Sequence, residues 1–325
     1  MTIEHGPSVR KLTERDRFIA ALERRPIPGR VPHFELAFFL TMEVFGKVHP
    51  RHRSYHQWDQ MSEDERRAHR RDIARLYVDC AERYDWSAIF LHPNPGTPEE
   101  TQRLIDLVRD EVGDRYFLLM HGDATYAIPN GERMPEFCYR LADEPEAVHA
   151  EAARRVERRL EWAERLQGLD GLALCADYCF NDGPFLSPNQ FSEFIAPYLK
   201  RLIEGLRQRG YYVVKHTDGD IMPILDMLLE GRPHALHSLD PQAGVDMATM
   251  VARVGDRVAL CGNVDCGLLS TGTDEQVAAS ASYAIEHGLR APGYVFCTSN
   301  CIYTGIAPER YDLILDLWRR RGVRE

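Results

Sequence analysis

A histidine and an aspartate two residues apart form the most informative chemical pair in the sequence: His216 and Asp218, within Lys215-His216-Thr217-Asp218-Gly219. They follow the apolar run Tyr211-Tyr212-Val213-Val214, which is typical of a buried strand. Side chains alternate between the two faces of a strand, so His216 and Asp218 are expected to point to the same face. A carboxylate beside an imidazole sets its tautomer and its basicity, as metal sites and general bases require. A purely structural histidine is the alternative.

Polar side chains also stand at the ends of the other strand-like runs. Buried parallel strands normally consist of Val, Ile and Leu, so polar residues gathered at one end need an explanation. A shared site is one explanation, and helix capping and loop chemistry, which favour Asp and Asn, are the other. The residues concerned are Glu35, His92, Asp123, Asp177, Tyr178, Asn263 and Asn300.

A thiol at the end of the last strand adds a second kind of metal ligand. Imidazole and thiolate suit zinc, and His216 and Cys301 would converge at the mouth of a barrel. Glu35 could add an oxygen ligand. Because paired Cys-x-x-Cys units are absent, such a metal would be catalytic and would keep an open coordination position. Cys297 is the rival thiol, since residues 297 and 301 share a strand face, and the sequence leaves this choice open.

Eight strand-like runs alternate with helical patterns along the chain. This alternation predicts a parallel α/β sheet, and eight units in roughly 290 residues predict a closed (β/α)8 TIM barrel. A doubly wound sheet is the alternative, but the turn after Leu36 lacks its glycine-rich fingerprint. The expected strands are 31–36, 86–92, 116–122, 171–177, 211–217, 234–239, 258–262 and 293–300. The expected helices between and after them are 62–84, 98–112, 143–166, 187–209, 221–229, 246–254, 273–287 and 308–320.

Length and composition suit one large domain. The chain has 325 residues, of which 44% are hydrophobic. We expect residues 1–30 to form an N-terminal helical extension and residues 31–325 to form the barrel. The extension would contain a helix over 11–23.

Charge and hydropathy exclude several classes of protein. The net charge of -10 argues against nonspecific nucleic-acid binding, which needs a basic surface. Residues 1–17 lack the apolar core of a signal peptide, and no stretch approaches the length of a membrane span. A cytoplasmic protein with reduced thiols is therefore expected, so the eight cysteines would not form four disulfides.

Several motifs together resemble the uroporphyrinogen decarboxylase family. The likeness covers most of the chain and is strongest from about residue 170 to 322, and the family implies a (β/α)8 barrel. The motifs are Asp182-Gly183-Pro184-Phe185-Leu186-Ser187-Pro188 with Phe191 and Pro197-Tyr198, His216-Thr217-Asp218-Gly219, Pro241-Gln242-Ala243-Gly244-Val245-Asp246, Gly262-Asn263-Val264-Asp265, Leu269-Ser270-Thr271-Gly272-Thr273 and Pro308-Glu309.

The family contains true decarboxylases and corrinoid-linked methyltransferases, and two departures count against the first. Decarboxylases carry an Arg-rich loop after the first strand that binds substrate carboxylates, whereas residues 33–40 here contain Glu35 and no Arg. Decarboxylases also have a His shortly before the final Pro-Glu, where this chain has Asn300 and Cys301.

The methyltransferases of this family bind zinc through His-x-Cys and a later Cys, and they work with a partner that carries cobalamin. His216 matches the first ligand and Cys301 the last, while Asp218 replaces the middle Cys. The resemblance therefore implies a methyltransferase that acts on a small methoxy, thiol or amine substrate (a demethylase when the methyl group leaves it), with zinc as its metal and a corrinoid protein as its partner. A homodimer is one option that the sequence leaves open.

Under this hypothesis His216, Asp218 and Asn300 are catalytic, and the metal ligands are His216, Cys301 and Glu35. The alternatives are a carboxy-lyase of the uroporphyrinogen decarboxylase type and a scaffold protein without catalysis. The remaining strand-end residues would contact the substrate: Glu35, His92, Asp123, Asp177, Tyr178 and Asn263.

Overall fold

The computed structural model describes residues 12–54 and 57–325. Part of the expected N-terminal extension, residues 1–11, therefore lies outside the described residues, as does most of the segment used to exclude a signal peptide.

A seven-stranded parallel sheet forms the centre of the fold, in the order β10-β9-β8-β7-β4-β3-β2. These strands are short, apolar and almost completely buried on both faces, as expected when helices cover a parallel sheet. Their bounds are β2 Ala88–Leu91, β3 Phe117–His121, β4 Gly171–Leu174, β7 Tyr212–His216, β8 Ala235–His237, β9 Ala259–Cys261 and β10 Tyr294–Val295.

The segment 31–36 closes the sheet into a barrel. The amide of Phe296 donates to the carbonyl of Pro32 (2.9 Å), and the amide of Ser87 donates to the carbonyl of His33 (2.6 Å), so the segment joins both sheet edges. It forms single bridges rather than the regular strand expected, in part because Pro32 has no N–H to donate. The predicted TIM-barrel architecture is confirmed.

Helices cover the outside of the barrel, and several begin where the sequence supplies a cap. Ser62 and Thr273 each form a capping box with the residue three positions later. The helices are α1 Glu14–Leu22, α2 Thr41–Phe45, α3 Glu63–Tyr84, α4 Pro98–Val112, α5 Met134–Asp143, α6 Pro145–Glu164, α7 Pro188–Phe194, α8 Ala196–Gln208, α9 Leu225–Leu229, α10 Met247–Val254, α11 Cys266–Thr271, α12 Asp274–Gly288 and α13 Pro308–Arg321.

The helix expected over 187–209 is divided in two. Helix α7 ends at Phe194 and helix α8 begins at Ala196, with Ile195 between them. Pro197 causes the break, because it cannot donate a hydrogen bond to the carbonyl of Glu193.

Two small antiparallel ribbons complete the structure. The first joins β1 (Gly29–Arg30) to β11 (Val323–Arg324), and the second is a hairpin of β5 (Cys179–Phe180) and β6 (Gly183–Pro184). The second ribbon follows β4, on the side of the barrel where the strands end.

Helix α1 packs against the barrel through one aromatic side chain. Phe18 is fully buried and lies 5.3 Å from the ring of Phe34 and 4.8 Å from the ring of Phe117, between centroids. These rings belong to the cluster of buried apolar side chains in the barrel interior. In the described part of the chain, no helix combines the length and the apolar composition needed to cross a bilayer.

Candidate functional site

A cavity of about 570 Å³ opens where the barrel strands end, the position of active sites in TIM barrels. Strand β7 places His216 in it directly, and the segments after β4, β7 and β10 add the other polar groups. The lining residues are Leu36, Phe39, Arg51, His52, His121, Cys175, Asp177, His216, Asp218, Asn300, Cys301, Tyr303 and Thr304.

Three of these side chains face one point. Nε2 of His216 lies 3.7 Å from Oδ1 of Asp177 and 3.6 Å from Oδ1 of Asp218. The three potential ligand atoms lie within 4.8 Å of one another, close enough to bind one metal ion. Among the described residues, these three side chains form the group with metal-site spacing. We call it the His–Asp–Asp group.

Neighbouring donors fix the two carboxylates. Ser238 Oγ donates to Oδ1 of Asp218 (2.7 Å), and Asn300 Nδ2 donates to Oδ2 of Asp218. The amide of Asp218 donates to Oδ1 of Asp177 (3.1 Å). Ser238 stands at the end of β8 with a positive φ of 85°, an unfavourable conformation for a residue with a side chain, which the surrounding contacts must hold.

His237 forms a hydrogen bond with the ring of His216. Their Nδ1 atoms lie 2.9 Å apart, so one ring donates its hydrogen and the other accepts it. His237 is 1% exposed, and its Nε2 has no hydrogen-bond partner among the described residues. A metal on Nε2 of His216 requires the His216 hydrogen to be on Nδ1, with His237 as its acceptor.

Burial controls the protonation of the group. It lowers the pKa of His216 to about 3, with Lys215 and His121 adding to the effect, so the ring is neutral near pH 7. Burial, together with the charge of Asp177, raises the pKa of Asp218 to about 7. Burial also raises the pKa of Asp177. The site thus holds two carboxyl groups whose charges are poorly compensated by the protein itself.

The donor set fits zinc. Ligand atoms about 2.1 Å from a tetrahedral zinc stand roughly 3.4 Å apart, close to the separations from His216 Nε2 to the two carboxylates. One nitrogen, two oxygens and an open cavity are the arrangement of a catalytic rather than a structural site. A divalent cation would also compensate the charge of the two carboxylates.

The structure places the other expected metal ligands differently. Cys301 lines the cavity but is outside the His–Asp–Asp group, whereas Cys297 is fully buried in the barrel interior and does not line the cavity. Glu35 also lies beneath the cavity lining: its Oε2 accepts hydrogen bonds from Thr298 Oγ1 (2.6 Å) and from the Thr298 amide (3.3 Å).

Of the expected substrate-contacting residues, Asp177 alone lines the cavity in the described structure. His92 does not line the cavity, although its Nε2 lies 3.3 Å from Nε2 of His121, which does. Tyr178 is buried, with its hydroxyl 2.6 Å from Thr125 Oγ1, and Asn263 Nδ2 donates to the carbonyls of Leu239 (2.9 Å) and Val245 (3.3 Å).

Asp123, also expected at the substrate, is an internal partner of a buried lysine. Its Oδ2 lies 3.3 Å from Nζ of Lys215 and accepts from the amide of Ala176 (2.8 Å). Lys215 is fully buried, and its ion pair holds the ends of β3, β4 and β7 together. The role of Asp123 in the structure is therefore explained without a substrate.

Sequence reasoning missed several residues that shape the site. Arg51 and His52 come from the long segment after residue 36, which carries no motif, and Tyr303 follows the last strand. His237 lies in Ala235-Leu236-His237-Ser238, where a histidine and a hydroxyl residue at a strand end offered a signal that the sequence analysis did not use.

A match to a protein-family model shows which family the chain belongs to. The model described as uroporphyrinogen decarboxylase (URO-D) matches residues 124–321. The chain belongs to the uroporphyrinogen decarboxylase family. The matched region contains Asp177, His216, Asp218, Asn300 and Cys301, so it supplies the whole His–Asp–Asp group and part of the remaining cavity lining.

Curated relatives of this family match part of the chain. The uroporphyrinogen decarboxylase of Thioalkalivibrio sulfidiphilus is 32% identical over 146 residues, covering 44% of this chain and 40% of the relative. That of Tolumonas auensis is 26% identical over 213 residues, covering 61% of this chain and 55% of the relative. The chain thus matches about half or less of the length of these relatives.

A solved structure resembles the whole chain. It is a methyltransferase from Methanosarcina mazei, with a TM-score of 0.71 and 18% sequence identity, covering 95% of this chain and 99% of that protein. At this identity the likeness establishes the shared fold.

Proposed function

We propose that this chain is a methyltransferase that moves a methyl group between a small methylated substrate and the cobalamin of a partner corrinoid protein. The observation that carries the proposal is the His–Asp–Asp group, with its metal-site spacing, at the mouth of the barrel. The fold shared with a methyltransferase over nearly the whole chain supports it.

Zinc is the metal proposed for the site. Asp177, His216 and Asp218 would hold it, with Cys301 on the same cavity wall as a further candidate donor. Zinc bound there would supply a Lewis acid next to the atom that carries the methyl group. Asn300 and Ser238 then act through Asp218, whose carboxylate they orient.

The protonation of His216 distinguishes a ligand from an acid. A ring with a pKa of about 3 is neutral near pH 7 and offers a lone pair rather than a proton. His216 is therefore proposed as a ligand and not as the cation that assists the leaving group.

The cavity suits a small substrate. Its volume of about 570 Å³ lies within the range of small-molecule sites, and Leu36 and Phe39 provide apolar contact beside the polar group. Methoxy, thiol and methylated-amine compounds are the proposed classes. The exposed Tyr303 stands at the rim, where a cobalamin-carrying partner would have to approach to exclude water.

A carboxy-lyase is the second candidate, because the curated relatives are decarboxylases and Arg51 brings one guanidinium to the cavity. However, Asp177 and Asp218 face the same space, and their carboxylates repel a substrate that carries several carboxylates. This balance of charge favours methyl transfer.

Methyl transfer to reduced cobalamin tests the proposal. Purified protein is mixed with zinc, reduced cobalamin and a panel of methoxy, thiol and amine donors, and methylcobalamin is followed by its absorbance. We expect transfer from at least one class and a loss of about 100-fold or more in His216→Ala, because a lost ligand removes the Lewis acid.

His149→Ala is the control. His149 lies on α6, outside the cavity lining, and its Nδ1 forms a hydrogen bond with the hydroxyl of Tyr198. It should transfer methyl groups at the wild-type rate. Failure with every donor class, or release of carbon dioxide from a carboxylated porphyrinogen, would contradict methyl transfer and favour the lyase.

A further inference from the structure

A second concave site lies between helix α6 and the segment that follows β3. Its volume is about 330 Å³, and none of its lining residues lines the cavity at the barrel mouth. Four of its six lining residues come from α6, and they include three arginines. The lining residues are Asp123, Ala124, Arg155, Arg158, Arg159 and Trp162.

The three arginines lie on one face of the helix. Arg155, Arg158 and Arg159 have the i, i+3, i+4 spacing that brings side chains together, so their like charges repel one another. By contrast Arg70, the one arginine that is buried among the described residues, faces Glu100 at 2.5 Å. Among the described residues, none of the three arginines has a carboxylate within ion-pair distance.

Arg159 is the least compensated of them. It is half-buried, its guanidinium lies 4.5 Å from the centroid of the Trp162 ring, and no acceptor of the described chain takes a hydrogen bond from it. Its charge is thus partly withdrawn from water without a hydrogen-bonded partner, which is unfavourable unless an anion compensates it.

Two acidic side chains near the cluster, Asp123 and Glu151, are already engaged in other contacts. Asp123 accepts hydrogen bonds from Thr125 Oγ1 (2.7 Å) and from the Ala176 amide (2.8 Å), and it lies beside the ammonium of Lys215. Glu151, one turn before Arg155 on α6, pairs with Arg140 at 2.7 Å. These contacts leave the charge of the arginine cluster in excess.

Arg155 is held in place. It donates to the carbonyl of Thr125 (3.0 Å), and its guanidinium lies 4.7 Å from the centroid of the Tyr126 ring. A positioned guanidinium beside two others provides several N–H donors in the planar geometry that matches carboxylate and phosphate oxygens.

We propose that Arg155, Arg158 and Arg159, with Trp162 as an apolar wall, bind the oxyanion group of a small molecule, a phosphate or a carboxylate. This site is independent of the proposed methyl transfer, because it shares no lining residue with the mouth cavity. A ligand there would contact α6 and the segment after β3, and it would stabilise the native chain as any native-state ligand does.

Titration at constant ionic strength tests the site. Inorganic phosphate and acetate are added separately to the full chain, with chloride adjusted to keep screening equal, and binding is followed by calorimetry and by the melting temperature. We expect saturable binding of at least one of the two anions. Arg158→Gln and Arg159→Gln should weaken that binding by about tenfold or more.

Arg154→Gln is the matched control, because Arg154 is exposed on the same helix, carries the same charge and does not line the site. It should bind the anion like the wild type. Exposed Arg158 is the variant least able to disturb folding, so its result stands even if Arg159→Gln folds poorly. Absence of saturable binding of both anions, or an equal loss in Arg154→Gln, would overturn the proposal.

Discussion

At the scale of single residues, the hydrogen between His216 and His237 decides what His216 can bind. With the hydrogen on Nδ1 of His216, its Nε2 lone pair faces the two carboxylates and is available to a metal. His237 then carries its own hydrogen on a buried Nε2 that has no acceptor among the described residues, a cost of about 1–3 kcal/mol. We therefore expect His237 to act as a positioning residue for a metal bound to His216.

Replacement of His237 should change zinc affinity through His216. His237→Leu removes the acceptor for the Nδ1 hydrogen, and we expect zinc binding to weaken by about 10- to 100-fold. His237→Asn keeps an acceptor near that position and should lose less. Competition with a chelating dye measures both affinities, and equal affinities in the wild type and His237→Leu would contradict this role.

The burial of Glu35 should make the free energy of unfolding depend on pH. Its Oε1 has no hydrogen-bond partner among the described residues, and burial raises its pKa to about 8 from an ordinary value of about 4.5. Between these pH values the folded chain keeps a proton that the unfolded chain releases. The free energy of unfolding should therefore fall as the pH rises from 4.5 through 8.

Glu35→Gln, which keeps a neutral side chain of the same shape, should lose this part of the pH dependence. Urea unfolding of both proteins at pH 5 and pH 9 measures it as the difference between their pH slopes. Parallel slopes would show that Glu35 ionises in the folded chain as it does in the unfolded one.

The sequence predicted the position of some site residues and not of others. His216, Asp218, Asn300 and Cys301 all line the cavity, because the C-terminal ends of parallel strands meet there. Glu35 does not, since its segment forms bridges rather than a regular strand and its carboxyl turns to Thr298. The direction of such a side chain depends on how its segment is aligned with the neighbouring strands. Those strands are distant in the chain, so the residues around Glu35 do not reveal the alignment.

At the scale of elements, helix α1 contributes one aromatic side chain, Phe18, to the barrel interior. Phe18 is fully buried against Phe34 and Phe117 in the barrel interior. Phe18→Ala would leave a cavity there and should lower the free energy of unfolding by about 3–5 kcal/mol. Chemical denaturation measures this loss.

Phe180→Ala is the control for that loss, because Phe180 is 44% exposed in the β5–β6 hairpin. It should change stability by about 0.5 kcal/mol or less. A similar small change in Phe18→Ala would show that α1 is not part of the cooperative fold.

Element types were predictable from periodicity, and their interruptions were not. The alternation of apolar runs and helical patterns predicted the seven strands that the structure shows and the closing segment. The division between α7 and α8 comes from Pro197. A proline inside a helix either kinks it or breaks it, and the sequence alone does not tell which of the two occurs.

At the scale of the whole molecule, the barrel brings together residues far apart in the chain. Asp177 lies in the segment after β4, His216 ends the neighbouring strand β7, and Asn300 follows β10 near the end of the chain. Closure of the sheet by residues 31–36 is what places them around one cavity. The cytoplasmic location, the homodimer and the corrinoid partner stay predictions.

The zinc content of the purified protein tests most directly whether the His–Asp–Asp group is a metal site. Protein freed of metal, incubated with zinc and desalted should retain about one zinc per chain, and His216→Ala and Asp177→Asn should retain little, because each removes a ligand. His149→Ala should match the wild type. A wild-type chain that retains no zinc, or a His216→Ala chain that retains as much as the wild type, would contradict a metal site built on the His–Asp–Asp group.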